Sequence, residues 1–354
     1  MAPTEIRQWV TAQDGLENLK LETTSYAEPA DDEVLVKINC VSLNYRDTEV
    51  CMGLYGHHKG MAKADKIVPC SDICGTVVSK NRSFKAGTRV MAIFNQSHLT
   101  GQIKAKDMAS GLGLPLPGVL TEYRSFPASA LVAAPAHLSN EEAACLPIAA
   151  MTAWMAINWN EPLGKPAQGE GEKFVLLQGT GGVAISGLLI AHASGFKTII
   201  TSSSDGKLEK AKQLGADYMI NYRTNPDWQG EVLRITEGEG ADIIFENGAA
   251  KTLRKSFECV AFGGMISCIG YLSGKEDDVG DRTSTNVLAL MRNVTLKGLL
   301  NGPKDRFEEM NEFFAKRELR PVVDRTFEFD EAKEALQYLY SGSHFGKVVV
   351  KVAE

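Results

Sequence analysis

The stretch that decides the architecture is Phe174-Val175-Leu176-Leu177-Gln178 followed directly by Gly179-Thr180-Gly181-Gly182-Val183-Ala184. A helix-spaced apolar series then begins, with Ala184, Leu188 and Ala191 on one face. The order is strand, tight turn, helix. Gly179 permits the turn, Gly181 lets backbone approach a pyrophosphate, and Ala184 is small enough for close packing of helix on strand. The helix N-terminus adds unpaired N–H groups and roughly half a positive charge, which suits an anion. Gly179, Thr180, Gly181, Gly182 and Val183 are therefore the expected cradle of a dinucleotide. The alternative is a purely structural glycine turn.

Downstream, KTIIT (197–201), DGKLEKAKQLG (205–215), DIIFEN (242–247), a helix over Thr252–Cys259, MISCIG (265–270) and a strand over Val294–Lys297 continue the alternation of short apolar strands and amphipathic helices. That texture predicts a doubly wound parallel sheet, an α/β Rossmann domain. Upstream, short β-type runs at Val34–Val41, Thr76–Val78 and Arg89–Phe94, punctuated by Gly and Pro, predict a mostly β domain. Near the end, Arg306–Lys316 reads as helix, Phe327–Phe329 as extended, Asp330–Tyr340 as helix and Lys347–Val352 as extended. The tail is expected to rejoin the first domain. The expected division is 1–150 with 300–354 as one domain and 151–299 as the nucleotide-binding domain.

The second strand bears on the choice of cofactor. An acid at its end would hydrogen-bond the 2′-hydroxyl of NAD and repel the 2′-phosphate of NADP. Here the chain reads Thr201-Ser202-Ser203-Ser204, and Lys207 lies one turn into the following helix. Hydroxyls and a lysine can donate to a phosphate. Asp205 is expected to be the helix N-cap, turned to backbone amides. Tyr222, after the third strand, can cover the adenine or donate to the phosphate. NADP(H) is the expected cofactor; the alternative for Ser202, Ser203, Ser204 and Lys207 is a capped junction with a surface lysine. Asn247 and Gly270 follow the fourth and fifth strands, at the carboxyl ends where the nicotinamide half belongs.

The 354 residues, 44% apolar and 23% charged, suffice for roughly two domains. Lys plus Arg total 38 against 44 Asp plus Glu, a net charge of −6 that provides no polybasic footprint for nucleic acid or anionic lipid. No run approaches the roughly 20 apolar residues of a membrane span, and MAPTEIRQWV lacks the basic and apolar regions of a signal peptide. Seven scattered cysteines do not form a disulfide framework. The expectation is a cytoplasmic enzyme acting on a small-molecule substrate.

The glycine turn, the β-rich start and the returning tail, together with Gly118-Val-Leu-Thr-Glu122-Tyr123, Leu146-Pro-Ile-Ala-Ala-Met-Thr152-Ala-Trp154 and Gly346-Lys347-Val-Val-Val, resemble the medium-chain dehydrogenase/reductase superfamily over nearly the whole chain. The resemblance implies a GroES-like catalytic domain beside the Rossmann domain. It also implies a homodimer, with interface near Ser267–Leu272 and Val294–Leu299. Zinc-dependent alcohol dehydrogenases of the superfamily carry a catalytic cysteine, a His-Glu pair and a four-cysteine lobe. This chain departs at each: Asn44 stands at the cysteine position, Ser71 at the histidine position, and no cysteine occurs between Cys74 and Cys145. An improvised site of Cys70, Cys74, His57 and His58 is the remaining metal candidate, with His57-His58 expected in an exposed loop near a cleft. The expectation is that no metal is bound.

What remains is similar to the quinone oxidoreductases and enoyl reductases of the superfamily, in which hydride from NADPH reaches a quinone or conjugated C=C. Tyr55 falls where enoyl reductases have a tyrosine proton donor. Asn44 can present an amide donor to the substrate or to the nicotinamide ribose, and Arg46 and Asp47 can orient it. A loop-packing tyrosine, a turn asparagine and a surface ion pair are the plainer alternatives, and Asp72 is expected to be mostly structural. Phe94, Asn95, Trp154, Tyr271 and Leu272 are expected to close the substrate cleft, or else to be core. The segment Gln96–Pro117 is expected to replace the metal lobe. The rivals are an alcohol dehydrogenase or carbonyl reductase using Tyr55, and a trans-acting reductase module that needs a partner enzyme.

Overall fold

The computed structural model describes residues 4–25, 28–56, 65–78, 83–170, 172–276 and 283–353. The chain divides into two compact units, Met1–Met151 with Asn301–Glu354, and Thr152–Leu300.

The first unit opens with an antiparallel ribbon of β1 (Ile6–Val10) and β2 (Lys20–Thr24). Its main sheet is organised by β3 (Glu33–Leu43), which is longer than the alternation of Val34–Val41 predicts. This strand pairs antiparallel with β4 (Asp72–Val77) and, through its first half, with β6 (Tyr123–Pro127). Strands β5 (Arg89–Ala92) and β7 (Leu131–Ala133) continue the sheet. Val34, Val36, Ile38 and Val41 of β3 all enter one apolar core with Ile73, Val90, Leu120 and Phe126. Branched side chains of this kind fit a pleated surface packed on both faces.

The second unit holds six parallel strands: β8 (Phe174–Gln178), β9 (Lys197–Ser202), β10 (Tyr218–Asn221), β11 (Ala241–Glu246), β12 (Val260–Cys268) and β13 (Thr295–Gly298). Their order, β10-β9-β8-β11-β12-β13, reverses direction between β8 and β11. That is the doubly wound Rossmann arrangement, with its switch point beside the glycine turn. The helix Gly182–Ala193 packs on the sheet most closely at Gly187, where an added Cβ would sit 2.5 Å from the Phe245 ring and 2.8 Å from Leu177. Ala184 is buried as expected, but Gly187 sets the approach distance.

The tail returns to the first unit, where β14 (Val323–Glu328) and β15 (Lys347–Lys351) extend the sheet as β14-β15-β3-β4-β5-β7. Two boundaries differ from expectation. Phe329 ends the extended run early because it opens a 3-10 turn, and β12 starts five residues before Met265, directly after the helix Leu253–Cys259. Among the described residues no helix is long and apolar enough to cross a membrane.

Candidate functional site

In the first unit the end of β3 runs straight into the helix Tyr45–Cys51. Asn44 N donates to Asp47 Oδ2 at 2.8 Å while Asp47 N donates to Asn44 O at 2.9 Å, which closes the helix start. Asp47 is fully buried, so its ion pair with Arg46 (Nη1 to Oδ1, 3.2 Å) is internal and not the surface pair that sequence allowed. Arg46 Nη1 also donates to Leu112 O at 3.2 Å, from the segment expected to replace the metal lobe. The guanidinium lies against two rings, 4.8 Å from the centroid of Tyr55 and 4.8 Å from that of Phe94. Tyr55, Phe94, Asp47 and Asn44 therefore share one locus, linked by Arg46. Arg46 Nε and Nη2 complete no hydrogen bond among the described residues.

A second set of contacts joins this locus. Buried Asp72 accepts from Ser71 Oγ at 2.8 Å and from Ile148 N at 3.0 Å. Burial pushes its carboxyl up, against the opposing effects of Lys347, the Asn44 side chain and Ser71. Lys347 Nζ donates at 2.6 Å to both Leu43 O and Asn44 Oδ1. Asn44 faces the Asp72 carboxyl, yet its Nδ2 completes no hydrogen bond among the described residues.

These groups do not suit zinc. Asn44 Oδ1 already accepts from an ammonium, and the Ser71 hydroxyl is spent on Asp72. Burial holds the Cys70 thiol well above its usual range and pushes Cys74 up to about 12. Cys74 Sγ instead donates to Asn140 Oδ1. Among the described residues no three His, Cys, Asp or Glu side chains converge. His57 and His58 lie outside the described residues.

Burial also dominates Asp47, raising its carboxyl from 3.8 to about 6 against the opposing Arg46 charge. A raised carboxyl pKa means the folded protein holds the proton more tightly than the unfolded chain. Its contribution to stability is therefore fully present below the unfolded pKa and is lost as pH rises through about 6. The rise corresponds to on the order of 3 kcal/mol. In urea unfolding, Asp47→Asn is expected to gain roughly that amount relative to the parent protein between pH 4 and pH 7. A gap independent of pH contradicts the assignment.

In the second unit, Gly179 takes the left-handed φ of +84° that the turn requires, and its N–H donates to Thr201 Oγ1 at 3.3 Å. Gly181 is the extended N-cap of Gly182–Ala193, and no side chain caps that end. Thr180 is buried in the turn, and Val183 is partly exposed in the first helical turn. The expectation for Asp205 is corrected: Ser204 is the N-cap of the helix Asp205–Gln213, its Oγ accepting from Lys207 N at 3.4 Å. Asp205 is the first helical residue, and its carboxylate accepts from Asn221 Nδ2 at 2.7 Å. Ser202 Oγ accepts from Ser204 N at 3.3 Å. Ser202 and Ser204 each keep a hydroxyl proton to donate, and Ser203 and Lys207 are partly exposed beside them. Tyr222 is exposed, with its N–H on Ser202 O. Arg223, next to it and exposed, is a second cation that sequence reading passed over, although Tyr222-Arg223 directly follows the third strand.

Asn247 does not stand free. Its Nδ2 donates to Gln178 O at 2.8 Å and its N to Gln178 Oε1 at 3.1 Å, joining the ends of β8 and β11. Glu246, which sequence reading missed, organises this end: its carboxylate accepts from Gln178 Nε2, Gly248 N and Ala249 N, each at 2.9 Å, and from the Thr252 and Ser256 hydroxyls. Gly270 N donates to Glu246 O at 3.2 Å, which brings the following loop alongside.

Trp154 is fully buried. Asn95 is likewise buried, its amide donating to Asp107 O at 2.9 Å. Tyr271 is partly exposed with Lys275 Nζ 4.6 Å from its ring centroid, and Leu272 is exposed.

Residues 30–136 match the alcohol dehydrogenase GroES-like domain and residues 182–316 the zinc-binding dehydrogenase family. A zinc-type alcohol dehydrogenase-like protein of Schizosaccharomyces pombe is 38% identical over 343 residues, covering 96% of each chain. The 2-methylene-furan-3-one reductase of Solanum lycopersicum is 27% identical, covering 98% of this chain and 79% of its own. Among solved structures, a presumed alcohol dehydrogenase of Sinorhizobium meliloti superposes with a TM-score of 0.88 at 35% identity, covering 99% of this chain and 100% of that one.

Proposed function

Because the chain belongs to the medium-chain dehydrogenase/reductase superfamily of oxidoreductases, we propose that it is an NADPH-dependent reductase of conjugated alkenes or quinones that works without zinc. The observation that carries this reading is the internal cluster at the positions the resemblance gives to zinc ligands, where Asn44 Oδ1 accepts from Lys347 and the Ser71 hydroxyl donates to Asp72, while Tyr55 lies against Arg46. The 27% identity to an enone reductase supports the substrate class.

When bound, NADPH supplies the hydride, and the cofactor carries that chemistry. The chain has to bind and orient it, exclude water and manage one proton. The glycine turn and the uncapped helix at Gly181 hold the pyrophosphate, and Ser202, Ser203, Ser204, Lys207 and Tyr222 hold the 2′-phosphate. Tyr55 Oη delivers the proton that an enolate or quinol oxygen requires. Arg46 and Asp47 fix the tyrosine and the helix start. Asn44 Nδ2, a buried donor that faces Asp72 but completes no hydrogen bond, meets the substrate oxygen.

A second copy of the chain is the partner we assign to the exposed edge of β13. Leu296 of β13 is exposed, as are Leu290 and Met291 at the end of the helix Thr285–Met291 that precedes it, and an apolar sheet edge left open invites pairing. Ser267 is not part of that surface, being fully buried with its hydroxyl on Ala156 O. Light scattering at the mass of one chain would remove the dimer.

The function itself is tested by following NADPH oxidation by chelator-treated protein against enones, quinones, aldehydes and ketones. Turnover confined to enones or quinones is expected. Reduction of simple aldehydes and ketones favours the carbonyl-reductase rival, and binding of NADPH without turnover of any acceptor favours a partner-dependent module.

A further inference from the structure

Lys347 reaches the cluster from the last strand of the chain, 303 residues beyond Asn44. Only 4% of it is exposed, and its Nζ is held at 2.6 Å by both Leu43 O and Asn44 Oδ1. An ammonium has three donors and no acceptor. Facing it, the Asn44 amide can turn only its oxygen toward Nζ, since the flipped amide sets NH2 against NH3+. The amide is therefore fixed in one orientation with Nδ2 on the other side, buried and facing the Asp72 carboxyl without completing a hydrogen bond to it. A buried donor left unpaired costs about 1–3 kcal/mol, a cost that a ligand oxygen removes.

We propose that Lys347 is the positioning residue of this site: it locks the Asn44 amide so that Nδ2 is the group offered to a substrate oxygen. It does so as a tethered cation beside the position that the resemblance gives to a zinc ligand. Lys347 also offsets the buried carboxyls of Asp72 and Asp47, so the charge is held in place from several sides. The inference rests on reading Asn44 as a substrate donor.

The test compares Lys347→Met, Asn44→Ala and the double variant in the full-length protein with NADPH. Lys347→Met is expected to lower kcat about tenfold, with the KM for NADPH unchanged, and to cause no further loss in the Asn44→Ala background. Losses that multiply in the double variant, or an unchanged kcat, overturn the proposal. Should Lys347→Met fail to fold, Lys347→Arg and Lys347→Gln replace it. Arg keeps a charged donor and is expected to retain more activity than Gln; equal loss in both overturns the proposal. A readout independent of turnover separates this proposal from the reductase reading. In protein labelled with 15N-asparagine, the Asn44 side-chain amide resonance, assigned by its disappearance in Asn44→Ala, is expected to shift or broaden in Lys347→Met, or in Lys347→Gln if the Met variant does not fold. An unmoved resonance overturns the positioning role even if the protein reduces enones. A shifted resonance in a protein that reduces none of the acceptors upholds the lock and removes the reductase.

Discussion

Tyr55→Phe is expected to lower turnover on a conjugated acceptor by about 100- to 1,000-fold while NADPH affinity stays the same. The substitution removes one oxygen and little else. The ring that lies 4.8 Å from the Arg46 guanidinium remains, as does its packing against the cluster of Val50, Ile67 and Leu114. A loss confined to kcat would thus reflect the missing proton donor and not a disturbed loop. Arg46 holds the phenol in place, its guanidinium resting against the ring. Full activity in Tyr55→Phe on a good acceptor would reduce Tyr55 to a packing residue and leave the site without an identified acid.

Lys207→Ala is expected to weaken NADPH binding about 10- to 30-fold and NADH binding less than about twofold. A charge-assisted hydrogen bond contributes about 1.5–3 kcal/mol, and the partial exposure of Lys207 places it at the low end. Lys207 is a cleaner target than Ser204. Ser204 Oγ also caps the helix Asp205–Gln213, so its loss would mix cofactor binding with helix stability. Isothermal titration with both cofactors reads the difference directly. Equal weakening of NADPH and NADH would show that Lys207 does not meet the 2′-phosphate.

The nucleotide-binding unit was legible because its signals are local. In Phe174–Ala191 the apolar period changes from strand to helix across a few glycines, and no distant residue is needed to see it. The helix cap was misplaced by one position because Ser204 and Asp205 are both good caps, and only backbone geometry separates them. Glu246 was illegible for a different reason. It ends an ordinary strand sequence, and its partners Gln178, Thr252 and Ser256 are brought to it by sheet order and by the next helix. The catalytic unit follows the same rule. Asn44, Asp47 and Tyr55 lie within a dozen residues and could be read together. The packing of Arg46 on both Tyr55 and Phe94 depends on a contact nearly fifty residues away. Lys347 reads as an ordinary lysine at the start of a strand; it is buried because β15 pairs with both β14 and β3.

The most direct test of a zinc-free alkene reductase is the fate of the hydride. Chelator-treated protein, verified free of zinc by elemental analysis, is supplied with NADPH deuterated at the transferred position and a simple cyclic enone, and the product is read by NMR. The account predicts a saturated ketone with deuterium on the β-carbon. Deuterium on the carbinol carbon of an allylic alcohol, or turnover that returns only when zinc is restored, contradicts it.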